Sequence, residues 1–211
     1  MKLIGMLDSP YVRRVAISLQ LLGLKFEHQS LSVFSAFDEF SRINPAVKAP
    51  TLLCDDGEML MDSTLILQYA EALARPRTLM PSGIKKLQHD LHLIGLALAA
   101  TEKSVQIVYE KGTRPPEKLH EPWLHRVTGQ ALAAYGELER ELATRPLSCS
   151  SSEISQAGVA IAVAWHFTQQ MTPAEVPAGR FPYLVAFSLA AESLLEFKAA
   201  PHGNGTYRNA S

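Results

Sequence analysis

The feature that most constrains the fold is a short break, residues 75–83 (RPRTLMPSG), across which the sequence pattern changes. This stretch holds two prolines and a glycine between periodic segments, which is typical of a linker. Before it, apolar runs are short and separated by turn residues, whereas beyond it long amphipathic segments run almost without breakers. The change predicts an α/β domain over residues 1–75 and an all-helical domain over 84–200. A linker over 76–83 joins them, and a loose tail follows over 201–211.

The first domain is predicted to have the element order β-α-β-α-β-β-α. Residues 2–7 (KLIGML) form an apolar run that ends at residues 8–10 (DSP), which indicates a buried strand followed by a helix with proline in its first turn. Residues 55–57 (DDG) separate two short apolar runs and indicate a hairpin, because Asp-Gly readily adopts the positive φ of a tight turn. A further helix begins at Ser63.

The second domain is predicted to consist of helices alone. Apolar residues recur at helical spacing over residues 84–111, 116–144 and 155–170. Pro182 is placed to open a last helix that ends near Phe197.

Charge and composition exclude several classes of partner. The 211 residues carry 20 basic and 21 acidic side chains, so no overall field attracts nucleic-acid phosphates or anionic lipid. No apolar stretch reaches the ~18 residues of a membrane span without a charge or a turn former. Cys54 and Cys149 are too few for a disulfide framework and lack C-x-x-C spacing, which favours a reducing compartment. We therefore expect a cytoplasmic protein without nucleic-acid or membrane partners.

Ser9 is the sharpest candidate for chemistry. Glycine-rich phosphate loops are absent, and His89 and His92 have no third ligand at a suitable spacing, so we expect no metal site. Ser9 follows a buried strand and precedes a helix start, where unpaired N–H groups and the helix dipole stabilise an anion. A serine before a proline is equally an ordinary N-cap. From local sequence alone, both interpretations stay open.

Three motifs follow one another in a suggestive order. Residues 9–14 read S-P-Y-V-R-R, residues 44–50 read N-P-A-V-K-A-P, and residues 62–63 read D-S at a helix start. With these motifs the chain resembles the glutathione S-transferase family, in which a thioredoxin-like α/β domain precedes an all-α domain. The likeness spans roughly residues 1–200. In the second half it rests on a pattern similar to a bacterial, Ser-type branch: Val108-Tyr109-Glu110-Lys111, Arg114-Pro115, Trp123 and Arg126.

The resemblance implies a glutathione site built from these motifs. Pro50 would follow a cis peptide bond, and the backbone of Ala49 would pair with the cysteine of glutathione as an added strand does. Asp62 and Ser63 would bind the ammonium and the α-carboxylate of the γ-glutamyl group.

The resemblance also implies an activity, the transfer of glutathione to a small apolar electrophile. Ser9 would donate a hydrogen bond to the glutathione sulfur and favour its thiolate. Lys48 is the nearest candidate for the glycyl carboxylate, because residues 33–37 contain no basic side chain. Glutathione is then a co-substrate, no cofactor is required, and a homodimer is expected. The electrophile is expected to meet apolar residues of the second domain, with core packing as their alternative role: Val105, Tyr109 and Trp165.

Two other functions stay open at this point. A non-catalytic glutathione S-transferase-like binding module is favoured by Asp62, which stands where the family more usually has glutamate. A glutathione-dependent thiol oxidoreductase would place a cysteine where Ser9 stands. One further departure concerns folding, because residues 155–158 (SQAG) keep the capping serine of a family motif but lack its aspartate.

Overall fold

The computed structural model describes residues 1–207, which form two compact units. The first unit comprises Met1–Leu79, the short segment Ser150–Glu153 and the described residues from Ser193 onward. The second comprises Met80–Cys149 and Ile154–Glu192. The first boundary, between Leu79 and Met80, falls within the segment expected to be a linker. Residues 208–211, the end of the expected tail, lie outside the described residues.

The first unit contains a four-stranded mixed sheet in the order β2-β1-β3-β4. Strand β1 runs parallel to β2 and antiparallel to β3, and β3 is antiparallel to β4. The element order along the chain is the predicted one: β1 (Lys2–Ile4), α1 (Pro10–Leu21), β2 (Glu27–Gln29), α2 (Phe37–Ile43), β3 (Thr51–Leu53), β4 (Met59–Leu60) and α3 (Ser63–Leu73).

Burial explains why the first unit folds around β1 and α1. Leu3 and Ile4 of β1 are both fully buried, although they point to opposite faces of the sheet. Ile4 packs against Leu31 and Phe40, and Phe40 is the buried residue of the short helix α2. Helix α1 is buried along almost its whole length. The loops at the ends of these two elements are therefore held on a rigid support.

The second unit is built around an apolar helix. Its long helices are α4 (Ile84–Gly112), α5 (Glu121–Thr144), α6 (Gln156–Met171) and α7 (Pro182–Glu192). Helix α6 is buried on nearly all sides, as its continuous apolar sequence requires, and it packs against α4 and α7. Helix α4 is long and apolar enough to satisfy the length and composition criteria for a membrane span, which core helices of soluble proteins also satisfy.

The helix predicted from Pro182 to near Phe197 is in fact two helices. Helix α7 ends at Glu192, and a short helix α8 (Leu195–Ala199) follows as part of the first unit. Arg13 of the first unit bonds to α8: it is only 2% exposed and donates from Nε to the carbonyl of Ala200 (2.7 Å). A buried guanidinium needs acceptors, and the end of α8 supplies them. The assignment of residues 193–200 to the all-helical domain was therefore wrong.

The described part of the expected tail is not loose. The Tyr207 ring stacks on Phe26 with 4.5 Å between centroids, and the Tyr207 N–H donates to His28 Nδ1 (2.9 Å). Ser30 Oγ donates to the carbonyl of Asn204 (2.9 Å). Residues 201–207 are therefore packed on the first unit, which corrects the expectation of a loose tail. Their polar composition did not predict this packing.

Candidate functional site

Ser9 occupies the N-cap of α1, directly after the turn that ends β1. Its backbone is extended (φ −69°, ψ 120°), and Pro10 fills the first helical position. Ser9 Oγ accepts a long hydrogen bond from the Val12 N–H (3.4 Å). Among residues 1–207, no group accepts the hydroxyl proton of this partly exposed side chain. The cap is therefore a weak one, and the hydroxyl keeps its capacity to donate.

The neighbouring Asp8 adds a negative group beside this hydroxyl. Partial burial raises the pKa of the Asp8 carboxyl, while the Ser9 backbone N–H and nearby His202 act in the opposite direction. His202 belongs to the packed C-terminal segment of the first unit, so this segment contributes to the electrostatics next to Ser9.

The turn before β3 is organised by Asn44, which is fully buried. Asn44 Nδ2 donates to Thr51 Oγ1 (2.8 Å) and to Met61 Sδ (3.3 Å), and its Oδ1 accepts from the Ala46 N–H (3.0 Å). Thr51 Oγ1 in turn donates to the carbonyl of Lys48 (2.7 Å). One amide thus links the turn that carries Lys48 to the segment that leads into α3.

The Ala49–Pro50 peptide bond is cis, as the resemblance implied. Neither backbone group of Ala49 has a hydrogen-bond partner within the described residues. Gly5 allows the close approach of this turn, because a Cβ at Gly5 (φ 135°) would lie 2.6 Å from a Val12 methyl and 3.0 Å from Ala49 Cβ. The unpaired backbone edge at Ala49 therefore lies against the end of β1 and the first turn of α1, the helix that Ser9 caps.

Asp62 and Ser63 form the start of α3. Asp62 Oδ1 accepts from the backbone N–H groups of Thr64 (3.0 Å) and Leu65 (3.4 Å) and caps the helix. Its Oδ2 has no partner within the described residues. Ser63 is 3% exposed, and its Oγ accepts from Arg14 Nη1 (3.4 Å). A carboxylate oxygen and a helix N-terminus are thus adjacent at one site.

Arg14 lies beneath this helix start and is itself only 3% exposed. Burial lowers the pKa of Arg14 to about 10, while the nearby Asp62 and Tyr11 counteract this shift. The guanidinium therefore stays charged at neutral pH. Its Nε has no hydrogen-bond partner within the part of the chain that the structure describes.

The remaining sequence candidates are more dispersed. Lys48 is exposed, and Val105 (half-buried) and Tyr109 (46% exposed) lie one turn apart on α4. Trp165 is only 3% exposed and packs edge-on against Tyr135 and Phe181, at 5.2 and 5.4 Å between centroids. Its expected place in an electrophile pocket is therefore corrected to a place in the core of the second unit.

Within residues 1–207, no group of three or more His, Cys, Asp and Glu side chains is arranged to hold a metal ion. His89, considered as a ligand from its spacing, instead pairs with Glu141 (2.9 Å between Nε2 and Oε2).

Known proteins that are similar to this chain point to one family. The family model for the glutathione S-transferase N-terminal domain matches residues 3–78. A glutathione transferase family member from Pseudomonas fluorescens Pf-5, solved with bound glutathione, has a TM-score of 0.83 and 26% identity over 96% of this chain and 98% of its own. Residues 3–78 thus match the N-terminal domain of the glutathione S-transferase family, and the whole chain is similar to glutathione S-transferases.

Two further relatives extend the comparison. The uncharacterised GST-like protein YibF of Escherichia coli is 25% identical over 173 residues, which cover 82% of this chain and 85% of YibF. A glutathione S-transferase from Methylobacterium radiotolerans, in complex with glutathione sulfonate, has a TM-score of 0.87 at 24% identity over 96% of this chain and 95% of its own. The predicted fold, a thioredoxin-like domain followed by an all-α domain, is confirmed.

Two residues near the candidate site were not singled out from the sequence. Asn44 and Arg14 both stand inside the motifs that indicated the family, but neither was given a role. The available signal was chemical, since an asparagine before a proline and an arginine in an otherwise apolar helix both need buried partners.

Proposed function

We propose that this protein transfers glutathione to a small apolar electrophile and that Ser9 stabilises the glutathione thiolate. The observation that carries the proposal is the Ser9 hydroxyl. It lies at a helix N-terminus, it is partly exposed, and no described residue accepts its proton. A hydrogen bond to a sulfur favours the charged form of that sulfur and lowers the thiol pKa.

The rest of glutathione matches the other groups of the first unit. Asp62 Oδ2 is proposed to bind the ammonium of the γ-glutamyl group, and Ser63 with the start of α3 its carboxylate. The open backbone of Ala49, shaped by Pro50, is proposed to pair with the cysteine. Lys48, which is exposed, is the proposed partner of the glycyl carboxylate.

The chemistry needs no redox partner. The thiol releases its proton to solvent, the thiolate electron pair forms a carbon–sulfur bond, and a leaving group such as halide departs with its bonding pair. Lowering a thiol pKa from ~8.5 to ~6.5 raises the thiolate fraction at pH 7 roughly 25-fold. The lower basicity reduces reactivity about tenfold at a Brønsted slope of ~0.5. Most of the acceleration then comes from holding the two reactants together.

The deciding experiment is the pH–rate profile of kcat/KM for conjugation of an aromatic halide, compared between wild type and Ser9→Ala at equal folded fraction. We expect the midpoint of the profile to move to higher pH in Ser9→Ala, because the bound sulfur loses a donor. An unchanged midpoint and an unchanged rate would contradict the role of Ser9. Retention of wild type on immobilised glutathione without any conjugation would instead favour the binding module.

The chain offers a matched control for this experiment. Ser155 is also an N-cap whose Oγ accepts a backbone N–H at 3.4 Å, that of Gly158, but it lies in the second unit. Ser155→Ala should therefore reproduce the small loss of cap stability without moving the pH profile. A shift of equal size in Ser155→Ala would show that the profile reports folding rather than thiolate stabilisation.

A homodimer and a cytoplasmic location are also proposed. Helix α3 exposes apolar side chains at every fourth position, at Leu65, Tyr69 and Leu73, and such a stripe on a soluble protein is suited to a protein interface. We expect wild type to sediment as a dimer and Leu65→Arg as a monomer. A monomeric wild type would contradict the proposed dimer.

A further inference from the structure

An unexplained feature of the first unit is a pair of phenylalanine rings on its surface. Phe34 is 63% exposed, and Phe37, the first residue of α2, is 55% exposed. Phenylalanine is usually buried, and Phe40, one turn further along α2, is fully buried. The packing of the first unit therefore does not account for the exposed area of Phe34 and Phe37.

The two rings belong to a segment that lies beside the open backbone of Ala49. Val33, Ala36 and Ala49 pack against one buried cluster. The cluster consists of three residues: Ile4, Leu31 and Phe40. Ser32 Oγ fixes the segment by accepting from the Phe34 N–H (3.1 Å). The segment that carries the rings and the turn that carries Ala49 thus lie over the same small core.

The charges near the rings disfavour a carboxylate. Residues 31–41 contain two acidic side chains, Asp38 and Glu39, which are exposed in the first turn of α2, and no basic side chain. Arg42 lies in the last turn of α2, and Lys48 is exposed in the turn before β3. An exposed ion pair with Lys48 contributes little to binding, because solvent screens it. An uncharged, apolar group suits this surface better than a carboxylate does.

This surface corresponds to one end of the proposed ligand. In the proposed function, the γ-glutamyl end binds at the start of α3 and the cysteine pairs with Ala49. The glycyl end follows the cysteine directly, and an extended peptide advances only about 3.3 Å per residue. The glycyl end therefore stays close to the turn of Ala49, where Phe34 and Phe37 offer a surface that no other proposed contact uses.

We propose that this site binds glutathione derivatives whose glycyl carboxylate is masked as an ester or an amide, and that Phe34 and Phe37 contact the masked end. The proposal rests on the proposed function, because it needs Ala49 to hold the cysteine. Masking removes the repulsion from the two carboxylates of α2, and an alkyl group covers exposed ring area. Lys48 Nζ can donate to an ester carbonyl as well as to a carboxylate, so little is lost there.

The test compares the Kd of S-methylglutathione with that of its glycyl ethyl ester, measured by titration calorimetry on the full-length protein. We expect wild type to bind the ester about 3- to 10-fold more tightly, the range for one or two CH₂ groups that leave water. Phe34→Ser removes the more exposed ring and should reduce this preference to about twofold or less. Phe34→Lys places a cation beside the glycyl end and should reverse the preference, so that the free acid binds about threefold more tightly.

Leu195→Lys is the matched control. Leu195 belongs to α8 of the same unit and is 66% exposed, so the variant makes the same change of charge at an apolar residue of similar exposure. It should keep the wild-type preference for the ester.

Three results would overturn the role of the rings alone. They are equal or tighter binding of the free acid by wild type, full preference for the ester in Phe34→Ser, and equal changes of the preference in Phe34→Lys and Leu195→Lys. Failure of wild type to bind either ligand would overturn the proposed function as well.

Discussion

Arg13 and Arg14 are neighbours on α1, and both are almost completely buried, yet their surroundings differ. Arg13 donates to the carbonyls of Ala200 (2.7 Å) and Phe197 (3.4 Å), and its guanidinium lies 5.8 Å from the centre of the Phe197 ring. Within residues 1–207, Arg14 makes one hydrogen bond, to Ser63 Oγ, and its Nε has no hydrogen-bond partner. Arg13 holds α8 against α1, whereas the burial of the incompletely paired Arg14 at the candidate site costs stability. Incomplete pairing of a buried charge is thus a better guide to function than burial itself.

The second unit contains a chain of buried hydroxyl groups that are hydrogen-bonded to one another. Tyr135 Oη bonds to the carbonyl of Ala164 (3.0 Å) and to Thr168 Oγ1 (2.6 Å), and Thr168 Oγ1 donates to Ser104 Oγ (2.8 Å). Burial raises the pKa of Tyr135 far above neutral pH. Its hydroxyl therefore stays protonated and serves the packing of the helices.

The largest expected effect separates the two arginines by stability. Arg13→Met should lower the free energy of unfolding by about 3 kcal/mol, because it removes charge-assisted bonds and leaves two carbonyls buried. Arg14→Met should cost about 1 kcal/mol or less, because it removes a poorly paired buried charge. Urea denaturation of both variants measures the difference. Equal losses would show that Arg14 is as structural as Arg13.

The next effect tests whether the hydroxyl chain of the second unit is structural only. Tyr135→Phe should lower the free energy of unfolding by about 1–2 kcal/mol, because Thr168 and the Ala164 carbonyl lose a buried partner. The glutathione KM at equal folded fraction should stay unchanged. A changed KM would mean that this chain of hydroxyl groups is not purely structural.

A smaller effect is expected at Asp62, which combines a cap with a proposed ligand contact. Asp62→Ala should cost about 1 kcal/mol of stability through the lost cap. It should also raise the glutathione KM more than it lowers kcat, because Asp62 is the proposed contact of the non-reacting end of the substrate. Asp62→Asn keeps a capping oxygen and should raise KM with less loss of stability. If Asp62→Asn has wild-type KM, the carboxylate does not bind the ammonium.

The smallest effect concerns His28, whose two ring nitrogens are both used. Nε2 lies 2.7 Å from the Gly5 carbonyl and donates to it, so Nδ1 must be unprotonated to accept from the Tyr207 N–H. Burial lowers the pKa of His28 below its ordinary value. The unfolded state therefore binds the proton first, and stability that is present above about pH 6.5 is lost as the pH falls through the folded-state pKa.

The expected loss is about 1 kcal/mol or less, the contribution of one hydrogen bond. Unfolding titrations between pH 8 and 5 should show a steeper decline for wild type than for His28→Gln, whose amide does not titrate in this range. Parallel curves would indicate that the contact between His28 and Tyr207 does not depend on the protonation state.

Much of the fold was predictable because it depends on local signals. Short apolar runs and turn residues gave the order of strands and helices before residue 75, and helical spacing gave the helices after residue 84. The position of the cis bond came from the resemblance of residues 44–50. These features depend on local sequence and were placed correctly.

Partners distant in sequence were not predictable in the same way. The pair Arg13-Arg14 has the composition of a solvated helix face, and only the folded chain brings Ala200 and Ser63 to it. The break between α7 and α8 follows from the same distant contact rather than from a local signal. Asn44 was visible as part of a motif, but its role in linking the turn to Met61 depends on tertiary structure.

The return of residues 193–207 to the first unit has a consequence during synthesis on the ribosome. Arg13 emerges early, but its acceptors at Ala200 and Phe197 follow 187 and 184 positions later. At ~5–20 residues per second, translation reaches them after roughly 10–40 s. Until then the guanidinium must stay hydrated, so α1 reaches its final packing only after the entire helical unit has been translated.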